Sequence, residues 1–202
     1  GSSINRCWDI ARMGNRTSDL PELSGIPHLV REARYHEFSR QAIGLVLVAA
    51  YAWWAAPVEM LYWPGAAIAV IGILVRLYAS GFVMKNKELA TTGPYSLVRH
   101  PLYTGNILML IGFCLANGML WPWVVGVFFL WFWYPPAISY EDNKLHTIFG
   151  DSWAEWSART PALIPRGIIP KSGDGTSWSF AKSMKVNWEP VIVAYSLFWL
   201  YW

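Results

Sequence analysis

The sequence predicts an all-α integral membrane protein with about five transmembrane helices, a cofactor site at the cytosolic edge and amphipathic helices toward the C-terminus. Three observations carry this. Hydrophobic residues make up 54% of the 202 residues and charged ones only 14%, too apolar for an ordinary water-soluble domain of this length. The apolar residues are gathered into long runs, and the chain has 14 Trp, a residue enriched where helices meet the membrane interface. Apart from Arg76, Lys and Arg lie in the leader and in alternate connections between those runs.

In chain order, residues 1–40 form a polar leader, within which Ile26 to Arg40 suits a helix lying on the membrane surface. Gln41 to Pro57 is the first span and ends in a Trp pair. Leu61 to Met84 is the second, with Gly65, Gly72 and Gly81 permitting close helix contact. The short link between them predicts an antiparallel hairpin over residues 41–84. Arg76, inside the second span, has two readings, a group facing a cavity or a side chain snorkelling to the interface.

Lys85, Lys87 and Glu88 lead into the stretch TGPYSLVRHPLYTGN, Thr92 to Asn106. Gly93 and Pro94 make a turn, and His100 is pushed toward extended geometry by Pro101. Pro101 suits the first position of a helix, whose positive end then lies beside Arg99 and His100 and favours an anion. Leu102 to Asn117 is the third span. Met119 to Ile138 is the fourth, kinked or ended by Pro135 and Pro136. The segment YEDNKLHTIFGDSWAEWSARTPALIPR follows, helical in its spacing but too charged to cross a bilayer. Lys171 to Lys185 reads as a loop, and Trp188 to Trp202 as a final apolar helix, short for a span. Residues 85–170 group the central motif, two spans and the charged helical segment, the region expected to hold the site, and 171–202 the loop with the last helix.

Six Lys and Arg precede the first span, Lys85, Lys87 and Arg99 lie between the second and third, and six more lie between the fourth and fifth. The two opposite connections have none. The leader, the central motif and the Glu141, Asp142 pair therefore share the cytoplasmic side, as in a bacterial-type inner membrane. This brings a basic turn, a helix N-terminus and two carboxylates together where bilayer meets cytosol. The clustered charge is topological and gives no nucleic-acid patch. No GxGxxG, P-loop, HExxH or paired CxxC occurs, and Cys7 and Cys114 do not suggest a disulfide. No motif specifies an oligomeric state.

The combination of GPYSLVRHPLYTGN, an acidic pair after a span, and LHTIFGDSWAEWSARTPALIP resembles the integral-membrane methyltransferases related to isoprenylcysteine carboxyl methyltransferase and phospholipid methyltransferase, over roughly Lys87 to Pro165. The resemblance implies S-adenosylmethionine as methyl donor, held by Tyr95, Leu97, Val98, His100, Tyr103, Gly105, Glu141 and Asp142. It implies Arg99, His100 and Glu141 as catalytic residues and a lipid or lipid-linked acceptor drawn from the bilayer. Glu141 or Asp142 suits the donor's amino group or ribose, and Arg99, His100 and helix-end amides suit its carboxylate. Carboxyl-methylating relatives usually carry an Arg shortly before the acidic pair, whereas here the segment is YPPAISYED. Arg99 and Arg159 are the candidate substitutes, and the acceptor stays open between a lipid-linked carboxylate, a phospholipid amine and a small thiol. A non-catalytic membrane module that keeps the fold is the alternative from another class.

Overall fold

A computed structural model describes residues 24–82, 89–170, 178–185 and 189–202 of the chain. Among the described residues the regular structure is helical, with no β-strand: α1 Ile26–Tyr35, α2 Glu37–Trp53, α3 Glu59–Ser80, a 3-10 turn Pro94–Ser96, α4 Pro101–Asn117, α5 Trp121–Phe149, α6 Asp151–Arg159, α7 Phe180–Lys185 and α8 Glu189–Tyr201. Of these, α3 is long and apolar enough to cross a membrane, while α4 and Pro190–Tyr201 are shorter apolar helices. Cys7 and the Lys85, Lys87, Glu88 connector lie outside the described residues, and Cys114 is a buried free thiol.

The close pairing expected between the first two apolar segments forms elsewhere. The main helix pair of the molecule is α3 with α4. The reason is steric complementarity. A Cβ at Gly65 would lie 2.7 Å from the Gly112 carbonyl oxygen, and one at Gly72 would lie 2.6 Å from that of Gly105. Glycines one heptad apart on each helix thus face each other in antiparallel register, letting the backbones touch where any side chain would hold them apart. Ala69, fully buried, continues the same seam.

Asn117 ends two elements at once. Its side chain donates to the carbonyls of Tyr51 (2.5 Å) and Trp54 (3.3 Å), satisfying the C-terminus of α2, which therefore stops at Trp53 and not at Pro57. Gly118, at φ 79°, then supplies the left-handed C-cap of α4.

Pro135 and Pro136 do not end the fourth apolar segment, since α5 continues through them to Phe149. Pro136 has no N–H for the Phe132 carbonyl one turn earlier. Arg34 of α1 takes that role, its Nε donating to the Phe132 oxygen at 2.8 Å, and Trp133 Nε1 donates back to the Ala33 carbonyl at 3.0 Å. These bonds fasten α1 across α5. The leader helix stops at Tyr35 because His36 is extended, so residues 37–40 belong to the first apolar helix, contrary to the expected break before Gln41.

The expected loop over 171–185 is partly helical, since Phe180–Lys185 forms α7, while 171–177 lie outside the described residues. Ser183 anchors it, donating to the Leu77 carbonyl at 2.6 Å and meeting the Ser80 hydroxyl at 3.0 Å. The last helix, α8, packs on α2 and α3 through Tyr195 to the Leu45 carbonyl (2.8 Å) and Tyr62 to the Leu200 carbonyl (2.7 Å).

Candidate active site

The turn before α4 is built as its residues require. The Leu97 and Val98 amides both donate to the Pro94 carbonyl, at 3.1 and 3.2 Å, and Pro101 opens α4 with His100 as N-cap. The segment after α6 folds back on this turn. The amides of Arg99 and His100 donate to the carbonyls of Pro161 (2.8 Å) and Ala162 (3.0 Å), and Thr104 Oγ1 donates to that of Leu163 (2.8 Å). The TPAL stretch is therefore part of the site's frame.

Around this frame the charged groups form one node. Arg99 donates to Asp142 Oδ2 (3.0 Å) and to the carbonyls of Ser157 (3.2 Å) and Thr160 (2.8 Å). The buried His100 ring lies between both acids, with Nε2 3.0 Å from Asp142 Oδ1 and Nδ1 3.5 Å from Glu141 Oε2. Tyr103 donates to Glu141 Oε1 at 2.5 Å, and its ring stacks on His100 with centroids 5.6 Å apart. The carboxylates reach the turn because α5 runs on past its prolines, carrying Glu141 and Asp142 beyond its apolar part.

Burial acts to lower the His100 pKa, but hydrogen bonds to Asp142 and Glu141 outweigh it and hold the imidazole above its ordinary value. For Glu141, burial acts upward, and hydrogen bonds from His100 and Tyr103 reverse it, leaving the carboxyl below its ordinary range. Asp142 behaves alike, with burial outweighed by hydrogen bonds from His100 and Arg99. The node thus sets a histidine biased toward its protonated form and a guanidinium against two carboxyl groups biased toward ionisation.

Beside the node opens a cavity of about 650 Å³, within the range of small-molecule sites. Its polar end is walled by Tyr95, His100, Tyr103, Glu141, Lys144 and Trp156, and its other end by apolar residues that include Leu45, Met109, Phe129 and Val191. Trp156 is fixed by its Nε1–H donating to the Tyr95 carbonyl at 3.3 Å. Of the sequence-predicted residues, Tyr95, Arg99, His100, Tyr103 and Glu141 line this space. Asp142 sits behind them, spent on Arg99 and His100.

Leu97, Val98 and Gly105 do not line the cavity. Val98 is buried, and Gly105 is pressed on α3, where a Cβ would lie 2.6 Å from Arg76 Cγ. Arg99 likewise belongs to the frame more than to a ligand, its guanidinium being held by a carboxylate and two carbonyls. Arg159 is exposed and off the cavity. Sequence reasoning missed Arg40, Asn106 and Tyr134, which also line it. The signal available for Arg40 was a cation one residue before an apolar run. Arg76, left between two readings, is buried against Asn106 Oδ1 and lines the cavity.

The profile of the phospholipid methyltransferase family matches residues 40–152, which take in most of α2 and all of α3 to α5 with both halves of the charged node. Cobalt-zinc-cadmium resistance protein CzcN of Cupriavidus metallidurans is 39% identical over 115 residues, 56% of this chain and 52% of that protein. Nickel-cobalt-cadmium resistance protein NccN of Alcaligenes xylosoxydans xylosoxydans is 36% identical over 104 residues, 50% of this chain and 47% of that protein. Protein-S-isoprenylcysteine O-methyltransferase of Schizosaccharomyces pombe is 32% identical over 88 residues, 43% of this chain and 36% of that protein. The chain thus spans about half the length of the first two relatives and about a third of the last. No solved structure matches it. With a profile match over more than half of its residues, and with both acids and the basic turn inside that match, the chain belongs to the phospholipid methyltransferase family.

Proposed function

We propose that this chain is an S-adenosylmethionine-dependent integral-membrane methyltransferase whose acceptor is a membrane-associated amphiphile. The observation that carries the reading is the cavity, which joins a charged, aromatic end to an apolar end within one space. Family membership and the isoprenylcysteine O-methyltransferase relatives support methyl transfer as the chemistry. In this reading α2, α3, α4, the apolar part of α5 and α8 cross the bilayer, with the node on the cytoplasmic side. Residues 41–84 carry the first two spans, 85–170 the catalytic region and 171–202 the last helix, and α1 lies at the interface.

The residues at the polar end fit the donor. Glu141, a carboxylate held ionised on the wall, suits an ammonium or ribose hydroxyls. Tyr95 and Trp156 offer aromatic faces to the adenine and the sulfonium. When bound, S-adenosylmethionine supplies an activated methyl group, and the chain's own task is to align the acceptor with it and exclude water. His100 faces a carboxylate from each ring nitrogen and is a poor base while both contacts last. That favours an acceptor whose nucleophilic atom carries no proton. The apolar end has no use for a small thiol and suits a tail.

Calorimetric titration of S-adenosylhomocysteine into the purified protein in detergent, against Glu141→Ala, tests the reading. Saturable binding weakened at least about ten-fold in the variant, the loss of a charge-assisted hydrogen bond, is expected. A folded parent that binds neither S-adenosylmethionine nor S-adenosylhomocysteine overturns it.

A further inference from the structure

Residues 164–170, at the end of the charged segment that follows the fourth apolar run, carry an apolar surface that no spanning helix explains. Ile164, Ile168 and Ile169 are 81%, 90% and 82% exposed, and Arg166 between them is exposed as well. A Cβ on Gly167 would meet nothing within 4 Å, so the middle of the loop stands clear of the rest of the described chain. Exposed apolar side chains on α3 or α5 are what lipid-facing helices carry. Isoleucines gathered on a loop outside every helix are costly in water and mark a contact surface.

The point where the loop leaves the protein says what covers it. Leu163, the residue before it, packs on the apolar cluster of Tyr103, Phe129, Trp133, Tyr134 and Ala137, and its carbonyl accepts from Thr104 in the first turn of α4. In the spanning reading the chain therefore departs at the level where α4 and the apolar part of α5 enter the bilayer. Irregular backbone cannot go deeper than the interface, because its amides and carbonyls find no partners among acyl chains. Pro165 and Pro170 remove two N–H donors that would need such partners, and Arg166 suits the phosphates of lipid head groups.

We propose that residues 164–169 form a membrane-inserted loop whose isoleucines dip into the cytoplasmic head-group layer while Arg166 takes a lipid phosphate, the partner being the phospholipid bilayer. The loop continues residues 161–163, whose carbonyls hold the Arg99 and His100 amides and the Thr104 hydroxyl, so the bilayer surface becomes a support of the charged node. The level of the bilayer rests on the spanning reading under Proposed function, whereas the exposed isoleucines do not depend on it.

The test uses the full chain in phosphatidylcholine nanodiscs, with Cys7→Ser and Cys114→Ala as background and an environment-sensitive fluorophore on one introduced cysteine. Ile168→Cys reports the loop, and Ile71→Cys reports an exposed position in the middle of α3. Lipids carrying a nitroxide near the head of the acyl chain should quench the Ile168 label about two-fold or more better than lipids carrying it near the tail end, as for a burial of roughly 5–10 Å. The Ile71 label should show the reverse order. Ile164→Asp with Ile169→Asp should cut the shallow quenching of the Ile168 label by about half or more and leave the Ile71 label unchanged, since carboxylates draw the loop into water.

An Ile168 label that no nitroxide reaches, beside a quenched Ile71 label, overturns the proposal and leaves the spanning reading standing. Blue-shifted emission in that case assigns the loop to a second copy or a partner protein. Quenching unaltered by the double aspartate variant overturns it as well, because the isoleucines then play no part. If neither label is quenched, the spans fall together with the loop.

Discussion

The α3–α4 seam and the charged node are joined through neighbouring residues of α4, yet they are held together by opposite means. At the seam, glycines on both helices bring backbone against backbone, and nothing there can move without a gap or a clash. At the node, long polar side chains from the turn, α4 and α5 converge with backbone carbonyls of Ser157 and Thr160, and each contact can be exchanged for water or a ligand. The seam fixes register. It sets Gly105 against Arg76, and so decides which faces of α3 and α4 turn to the cavity. The node supplies charge and chemistry on that fixed base. A rigid apolar seam beneath an adaptable polar cluster is the arrangement a positioned reaction needs.

Breaking the seam should have the largest effect. In Gly112→Leu a Cβ would lie 2.6 Å from the Gly65 carbonyl oxygen, and backbone cannot yield as a side chain does. The expected cost is about 3 kcal/mol or more, with loss of the monodisperse peak in detergent chromatography and of cooperative thermal unfolding. Gly112→Ala should do less harm, and an unchanged melting curve for the Leu variant would mean that the helices are not packed on backbone.

Breaking the node should spare the fold and remove the function. His100→Ala and Glu141→Gln are expected to cut methyl incorporation by about 10²-fold or more, the usual range for a positioned catalytic group, with chromatographic behaviour retained. Normal turnover in both would dissolve the site assignment.

Titration sharpens the contrast, because the glycine contacts of the seam are backbone on backbone while those of the node join ionisable groups. His100 is held above its ordinary 6.5, so its contribution to stability is fully present below about that pH and is lost as pH rises through the raised value. Glu141 and Asp142 are held below their ordinary 4.5 and 3.8, so theirs is present above those values and is lost as pH falls through the lowered ones. Unfolding midpoints plotted against pH should show a plateau between, declining on both sides. In His100→Gln the alkaline decline should shrink, and an identical profile would count against the ion cluster.

Arg99→Lys should act more mildly. A lysine can keep the charge opposite Asp142 but cannot also hold the Ser157 and Thr160 carbonyls in one planar fork, and a loss of about 1–2 kcal/mol in unfolding free energy is expected, with weaker donor binding by calorimetry. The smallest effect belongs to Trp156→Phe, which removes one hydrogen bond to the Tyr95 carbonyl and leaves most of the packing. About 1 kcal/mol or less is expected, read as a slight downward shift of the midpoint.

What the sequence by itself determined is what neighbouring residues decide. Pro101 after His100 starts α4, Gly118 ends it, and the apolar runs become helices because a backbone surrounded by apolar side chains must satisfy its own polar groups. The motif turn and the acidic pair were legible as chemistry because Arg99, His100 and their flanking prolines stand directly before one apolar run and the two acids directly after another. Tertiary structure alone decided that α3 pairs with α4 and not with α2, because the choice depends on Gly65 and Gly72 meeting Gly112 and Gly105 from distant parts of the chain, which hydropathy along one helix does not register. It also decided that α5 survives two prolines, since Arg34 reaches back from α1 to the carbonyl that Pro136 frees. And it brought both Arg99 and Arg40 to the cavity wall while bonding only the Arg99 guanidinium to a carboxylate and two carbonyls. A cation's role follows from which carbonyls and carboxylates surround it, and those arrive from distant parts of the chain.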